Sequence, residues 1–338
     1  MAIVSPEIYL GNIVKTRVRL ARNLSGYPFN ITDEKTARDI VKSVNRALIK
    51  CDTFNLLFTS NISNATLEAM KERHLISQNL IDNKGLGAVL VNTDESISVM
   101  IGEEDILREQ CLMKGLRLKE AYEKISKVDD EIAKNLDIAF DEELGYLTAC
   151  PSNLGTGLRA SVMLFLPALT ESGAIKKVYD EVSKMGLTVR GLYGEGSTAE
   201  GYLYQVSNEV TLGLNEYDIL RQVEDTVLDI CEAESNYARK LYTGKNELKT
   251  MDITSKSYGI LTNAVLLSYS EFLQHIANVK LGAMLGVFNI SELDKIDDLI
   301  ISVRPANLCE QYGKRLSQID RDLYRAEVVK NKLIKIKE

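Results

Sequence analysis

Three arginines lie within eight residues near the start of the chain, in the segment TRVRLARN at residues 16–23. In a β-strand, Arg17 and Arg19 would point to the same face. Two guanidinium groups on one face suit bidentate contact with phosphate oxygens. The alternative is an ordinary solvated basic surface, which the spacing alone leaves open.

Two further segments combine glycines with arginine. The segment CPSNLGTGLRAS (residues 150–161) predicts a small-residue loop that leads into an apolar helix, with Arg159 at the helix entrance. The segment RGLYGEGS (residues 190–197) predicts a glycine-rich turn after a strand and separates Arg190 from Glu195 by five positions. A plain strand-to-helix turn is the alternative for the first of them.

Three acids follow one another in the segment GEEDILR at residues 102–108, which ends in Arg108. Adjacent carboxylates repel one another, so a cation is expected to compensate them. A metal ion, a local arginine or a cationic substrate would serve.

Phosphorylation of a guanidinium would use all of these groups. A guanidinium stays protonated and is a poor nucleophile, so carboxylates must align it and accept its proton. Arginines must neutralise the phosphates and the transferring group, with magnesium bridging the phosphate oxygens. The chain has no G-x-x-x-x-G-K-[ST] loop and no H-R-D or D-F-G segment, so it would hold ATP in another way.

Composition excludes several other classes of function. The net charge of -7 argues against direct nucleic-acid binding, and two histidines with five scattered cysteines argue against a zinc site or a disulfide framework. No stretch reaches the roughly 20 apolar residues of a membrane span, and the N-terminus lacks the pattern of a signal peptide. We therefore expect a cytoplasmic protein with no membrane contact.

The pattern of apolar residues predicts mixed strands and helices up to about residue 235 and helices beyond it. Strands are predicted at 87–91 and 96–101, paired antiparallel through a short turn, and at 186–190, 201–206 and 210–213. Helices are predicted from a cap at Thr32, at 216–241, at 270–285 and at 320–337. The predicted domains are 1–235 and 236–338.

The ordered segments identify the chain as similar to the phosphagen kinase superfamily and, within it, to the bacterial protein arginine kinases (McsB type). They are TRVRLARN, GEEDILR, CPSNLGTGLRASVM, RGLYGEGS and YQVSNEVTLGLNE, which begin at residues 16, 102, 150, 190 and 204. The resemblance implies an α+β fold, with an antiparallel sheet flanked by helices (glutamine-synthetase-like) and then a smaller helical domain. Ile106 departs from the histidine common at this position.

The resemblance also implies roles for individual residues. Glu104 and Glu195 would hold the substrate guanidinium, with Glu195 as first choice for the catalytic base. The ATP-binding residues would be Arg17, Arg19, His74, Arg108, Arg159 and Arg190. ATP and magnesium are the implied cofactors, with no metal ligand from the protein itself.

The segment RDLYRA at residues 321–326 matches the RDxxRA pattern of a second, allosteric phosphoarginine pocket in the same relatives. Its residues are Arg321, Asp322, Arg325 and Ala326. Arg321 and Arg325 are four positions apart, so on a helix they would share a face and could grip one phosphate. An exposed lattice of charges on a terminal helix is the alternative.

The implied activity is ATP-dependent phosphorylation of arginine in proteins, in the stress response and protein quality control. A CtsR-type repressor, a McsA-type activator and a ClpC-ClpP protease are the implied partners, and a homodimer or larger oligomer is expected. Creatine and arginine kinases carry an N-terminal helical domain, for which the chain leaves no room before residue 16. The alternatives are a kinase of free guanidino compounds and a catalytically silent phosphoarginine-binding protein.

Overall fold

A computed structural model describes residues 11–191, 199–290 and 292–337. Within them, eight strands form one sheet in the order β2-β3-β4-β5-β1-β8-β10-β9, and β6 pairs with β7 in a small separate hairpin. The strands are β1 Ile13–Arg22, β2 Phe54–Phe58, β3 Ala88–Asn92, β4 Ile97–Ile101, β5 Leu107–Lys114, β6 Phe140–Asp141, β7 Gly145–Tyr146, β8 Leu158–Phe165, β9 Leu187–Gly191 and β10 Leu203–Asn208.

Helices make up most of the remaining described chain. They are α1 Glu34–Leu48, α2 Asn64–Glu72, α3 Gln78–Asp82, α4 Leu118–Asn135, α5 Pro167–Glu171, α6 Ile175–Lys184, α7 Glu216–Tyr242, α8 Glu247–Asn263, α9 Tyr269–Met284, α10 Leu293–Ser302, α11 Pro305–Gln311 and α12 Gln318–Ile336. None of the helices in the described ranges is long and apolar enough to cross a membrane.

The chain divides into two compact units. The strand-rich unit contains Lys15–Val162 and Ser207–Glu224, and the helical unit contains Met1–Val14, Met163–Val206 and Asp225–Glu338. The units interleave along the sequence, and the predicted boundary at residue 235 stays a prediction.

Hydrogen-bonded strand pairs organise the strand-rich unit. The predicted hairpin of β3 and β4 is confirmed, with Leu90 opposite Val99 and every residue of both strands buried. Strand β5 pairs antiparallel with both β4 and β1, and Ala21 lies opposite Arg108. Because opposite residues share a face, this register fixes which side chains of β1 and β5 meet.

Helix α1 begins one residue later than predicted. The Asp33 carboxylate, not Thr32, accepts the hydrogen bond from the Thr36 amide, at 2.8 Å. Ile40, Val41 and Val44 form its buried face, as the spacing predicts.

The helical unit has its own apolar core. Phe272, Leu273 and Ile276 of α9 are buried in it together with Leu261 of α8 and Val329 of α12. The predicted antiparallel sheet with flanking helices and a helical C-terminal part is confirmed.

Two predicted strands differ from the structure. Residues 210–213 form no strand, because the Thr211 hydroxyl donates to the carbonyl groups of Ser152 and Leu154 and Gly213 turns at φ +78°. The strand predicted from residue 201 begins at Leu203, after a short 3₁₀ turn.

A buried carboxyl group in the helical unit makes its stability depend on pH. Glu234 is 1% exposed and accepts hydrogen bonds from the amides of Ala168 and Leu169, at 2.7 and 2.8 Å. Burial raises its pKa from 4.5 to about 7, although the two hydrogen bonds oppose that shift.

We expect the free energy of unfolding to fall as pH rises from about 5 to 8. A raised pKa in the folded state adds stability below the unfolded pKa, and that stability is lost as pH rises through about 7. The loss is on the order of 2 kcal/mol for a shift of this size. Urea unfolding at several pH values measures it. Glu234→Gln should flatten the profile, and an unchanged slope in that variant would contradict the assignment.

Candidate active site

Arginines from three neighbouring strands converge in the strand-rich unit. Arg17 and Arg19 lie on β1 and Arg108 on β5, and the register places all three on the same face of the sheet. Arg159 lies on β8, the strand beside β1. The predicted helix at Arg159 is therefore wrong. Residues 158–165 form a central strand because their apolar side chains are buried on both faces of the sheet.

Repulsion between these guanidinium groups shows in their pKa values. Burial and the charges of Arg159 and Arg108 lower the pKa of Arg17 to about 10. Burial, followed by Arg17, Arg108 and Arg159, lowers the pKa of Arg19 well below its ordinary value, while Glu103 opposes that shift. The guanidinium groups therefore repel one another, and an anion bound among them would relieve that repulsion.

Two of the three consecutive acids contact Arg108 in different ways. Glu103 has a fully buried side chain that pairs with Arg108 at 3.1 Å and also accepts hydrogen bonds from Ser77 and Asn79. Glu104 is half exposed and lies 3.9 Å from Arg108. Glu103 thus holds the arginine, whereas Glu104 presents a carboxylate to a ligand. Reasoning from the sequence missed the role of Glu103, because two adjacent glutamates look alike without their burial.

A polar cavity of about 110 Å³ lies between these groups. Its lining residues are Arg19, Leu20, Ala21, Glu104, Arg108, Ser152, Asn153, Gly157 and Arg159. Four predicted site residues, Arg19, Glu104, Arg108 and Arg159, therefore meet at one place.

Arg22, unlike Arg17 and Arg19, is a buried structural residue. It is 2% exposed, binds Asp129 through Nε and Nη2, and donates from Nη1 to the Thr156 carbonyl at 3.0 Å. Its guanidinium also lies 3.5 Å from the centre of the Tyr146 ring. Gly157, the residue after Thr156, has a φ of +64°. A side chain at this position would place its Cβ 2.6 Å from Nη1 of Arg22. Arg22 thus fixes the glycine turn that forms one wall of the cavity.

His74 lies at the end of α2. It has a φ of 66°, and its carbonyl accepts a hydrogen bond of 2.6 Å from Gln110. Gln110 also lies opposite Arg19 on β5, so the histidine segment is fastened to the strand beside the arginines. A role of His74 in nucleotide contact stays a prediction.

Arg190 is not among the described residues that line the cavity. Arg190 is an exposed residue of β9 and belongs to the helical unit. Glu195 lies outside the described residues. The predicted roles of both therefore rest on the sequence.

Arg321 and Arg325 do share a helix, α12, but their surroundings differ. Arg325 is 1% exposed and donates to the carbonyl groups of Leu267 and Val303 and to Asp322. Burial lowers its pKa, and Asp322 opposes that shift. Arg321 is partly exposed. Of the two guanidinium groups, that of Arg321 is the one open to a ligand.

No group of three or more histidine, cysteine or acidic side chains suited to a metal ion occurs within residues 11–191, 199–290 and 292–337.

Two family models together match most of the chain. The ATP:guanido phosphotransferase C-terminal catalytic domain matches residues 35–237, and the protein-arginine kinase McsB C-terminal domain matches residues 247–338. The first match contains Glu104, Arg108, Arg159 and Arg190, and the second contains Arg321 and its neighbours.

Solved structures support the fold. A duplicated taurocyamine kinase from Schistosoma mansoni, with bound transition state analog components, has a TM-score of 0.61 at 24% identity and covers 78% of this chain and 40% of its own. A lombricine kinase has a TM-score of 0.59 at 23% identity and covers 70% of this chain and 69% of its own.

The curated relatives found by sequence share a much higher identity with this chain than the solved structures do. The protein-arginine kinase of Clostridium acetobutylicum is 42% identical over 95% of this chain and 96% of the relative. That of Caldanaerobacter subterraneus is 39% identical over 96% of this chain and 97% of the relative. The chain therefore belongs to the ATP:guanido phosphotransferases and, within them, to the protein-arginine kinase family.

Proposed function

We propose that this protein transfers the γ-phosphate of ATP to the guanidinium group of arginine residues in proteins. The observation that carries the proposal is the polar cavity, where Arg19, Arg108 and Arg159 face the half-exposed carboxylate of Glu104. The cavity thus combines cationic groups for phosphates with an acid for a guanidinium. The family of relatives named protein-arginine kinase supports a protein-borne acceptor.

The arginines would bind the phosphates and neutralise the charge of the transferring group. Magnesium would arrive with ATP and would supply further positive charge to neutralise the phosphates, with no ligand from the protein itself. Glu104 would align the substrate guanidinium against the γ-phosphorus. As the new nitrogen–phosphorus bond forms and the bond to the ADP oxygen breaks, one carboxylate would accept the released proton.

Several assignments extend this proposal from sequence alone. Glu195 is our first choice for the base, and Arg190 and His74 complete the ATP-binding set. We propose 1–235 as the catalytic domain and 236–338 as the phosphoarginine-binding domain. Action in the cytoplasm, control of a CtsR-type repressor, a McsA-type activator and delivery to ClpC-ClpP belong to the same proposal.

Incubation with Mg-ATP and an unfolded model protein, with free arginine in a parallel tube, tests the activity. We expect acid-labile phosphoarginine on the protein, detected by phosphorus NMR and by mass spectrometry without acid. Glu104→Gln and Glu195→Ala should each lower the rate by about 100-fold or more, since each removes a guanidinium ligand or base.

Glu68→Gln is the matched control, because Glu68 is a partly exposed helical acid that pairs with Lys71. Phosphate on free arginine alone would replace the proposal with a kinase of small guanidino compounds. No phosphate on either substrate, together with binding of a phosphoarginine peptide, would favour a silent phosphoarginine-binding protein. An unchanged rate in both active-site variants would remove Glu104 and Glu195 from the proposed mechanism.

Arg19→Met should make the ligand-free protein more stable by about 1 kcal/mol, because it removes one of four mutually repelling cations. The same change should weaken Mg-ADP binding by about 10-fold to 100-fold, since charge-assisted hydrogen bonds are lost. Thermal unfolding with and without Mg-ADP measures both effects. Arg38→Met, on the exposed surface of α1, is the control. A destabilised ligand-free Arg19→Met would refute the electrostatic argument.

The RDLYRA segment allows a prediction that does not depend on the catalytic cavity. Arg321→Ala should lower affinity for a phosphoarginine peptide by about 10-fold with little change in melting temperature. Arg325→Ala should instead destabilise the helical unit by about 3 kcal/mol, because it leaves Asp322 without its buried partner. Calorimetry with the peptide and thermal unfolding distinguish these effects. Unaltered peptide binding by Arg321→Ala would remove this pocket from the proposal.

A further inference from the structure

Asp105 is the third acid of the GEEDILR segment, and it accepts three hydrogen bonds from two separate parts of the strand-rich unit, the end of β1 and the segment 147–153. Its side chain is almost completely buried. Oδ1 accepts from Asn23 Nδ2 at 2.8 Å and from the Ala149 amide at 2.6 Å, and Oδ2 accepts from Asn153 Nδ2 at 3.1 Å. All three partners are donors, so a carboxylate matches them with both of its oxygens.

Asn23 fixes the acidic segment from the other side. It is fully buried, and its Oδ1 accepts from the Ile106 amide at 2.8 Å. Its Nδ2 donates to the Leu147 carbonyl at 3.0 Å as well as to Asp105. The end of β1, the acidic segment and the segment 147–153 therefore meet at one buried carboxylate–amide pair.

The residues beside this pair form two walls of the cavity. Glu104 directly precedes Asp105, and Asn153 lines the cavity while it binds Asp105. We propose that Asp105 is a positioning residue of the active site. It fixes the position of the Glu104 carboxylate relative to the segment 149–153. The inference deepens the proposed function and rests on it.

Catalysis and nucleotide binding should respond differently to a change at Asp105. Arg17, Arg19, Arg108 and Arg159 project from β1, β5 and β8, which the hydrogen bonds of the sheet hold in place. The affinity of these arginines for phosphates should therefore not depend on Asp105. Glu104 lies in the connection between β4 and β5, where fewer backbone hydrogen bonds fix it, and a misplacement of about 1 Å costs roughly 100-fold in rate.

The test compares Asp105→Ala and Asp105→Asn with the natural protein, using kcat for protein phosphorylation and Mg-ADP affinity. We expect Asp105→Ala to lower kcat by about 10-fold to 100-fold and to change Mg-ADP affinity by less than about 3-fold. Asp105→Asn keeps one oxygen for Asn23 and Ala149, so it should fold and lose only about 3-fold in kcat.

Thr59→Val is the control for a merely structural effect. The Thr59 hydroxyl is buried and donates to the carbonyl groups of Lys84 and Gly87, none of which lines the cavity. It should lose stability with kcat unchanged. Equal losses of kcat and nucleotide affinity in Asp105→Ala, or a kcat loss in Thr59→Val of the same size, would overturn the inference.

Alkylation of Cys150 gives a readout that does not depend on activity. Cys150 is partly exposed and follows Ala149, whose amide Asp105 holds. Asp105→Ala should raise the rate of Cys150 modification by iodoacetamide by about 3-fold or more, with Cys51 and Cys309 unchanged, as peptide mass spectrometry would measure. An unchanged Cys150 rate would overturn the inference. If the natural protein phosphorylates neither substrate, the proposed function fails, and the Cys150 rate still decides whether Asp105 orders this segment.

Discussion

Repulsion among four guanidinium groups is the constraint on which the strand-rich unit depends. Each of Arg17 and Arg19 has its pKa lowered by burial and by its arginine neighbours. Like charges held this close together oppose folding, and a bound anion would relieve the repulsion. The backbone of the cluster must therefore be held by other interactions, and the paired strands β4, β5 and β1 provide them. The same positive charges that repel one another would attract a polyphosphate, so the repulsion within the cluster and its expected affinity for phosphates have one origin.

The acidic residues near the arginine cluster hold it in place and leave room for a ligand. Glu103 is buried against Arg108, while Glu104 remains half exposed at the cavity. Arg22 is directed away, toward Asp129, and contacts the turn before Gly157. Burial of Glu109 close to Asp129 raises the pKa of Glu109 well above its ordinary value. Glu104 is thus open to a ligand, whereas Arg22 and Asp129 form a buried ion pair that holds the fold.

Local patterns in the sequence predicted much of the fold and part of the site. The short apolar runs of β3 and β4, joined by a turn, and the helical spacing of α7, α9 and α12 predicted the correct elements, because residues close together in the sequence decide each of them. The strand β8 was missed because an apolar run after glycines fits a buried helix as well as a central strand. Arg17 and Arg19 were correctly placed on one face, since period two is a local property. The contributions of Glu103 and Asp105 depend on partners far away in sequence, such as Ser77 and Asn153, and no local pattern contains them.

The two arginines of α12 show why spacing alone does not assign a binding site. Their separation of four places them on neighbouring turns, yet Arg325 is buried against backbone carbonyl groups and Arg321 is partly exposed. A buried guanidinium with three satisfied donors stabilises the packing of helices, and its transfer to a phosphate would leave Leu267 and Val303 carbonyl groups unsatisfied. Arg22 follows the same rule in the strand-rich unit. In both segments the buried arginine builds the fold, and the partly exposed arginines are the ones that a ligand can reach.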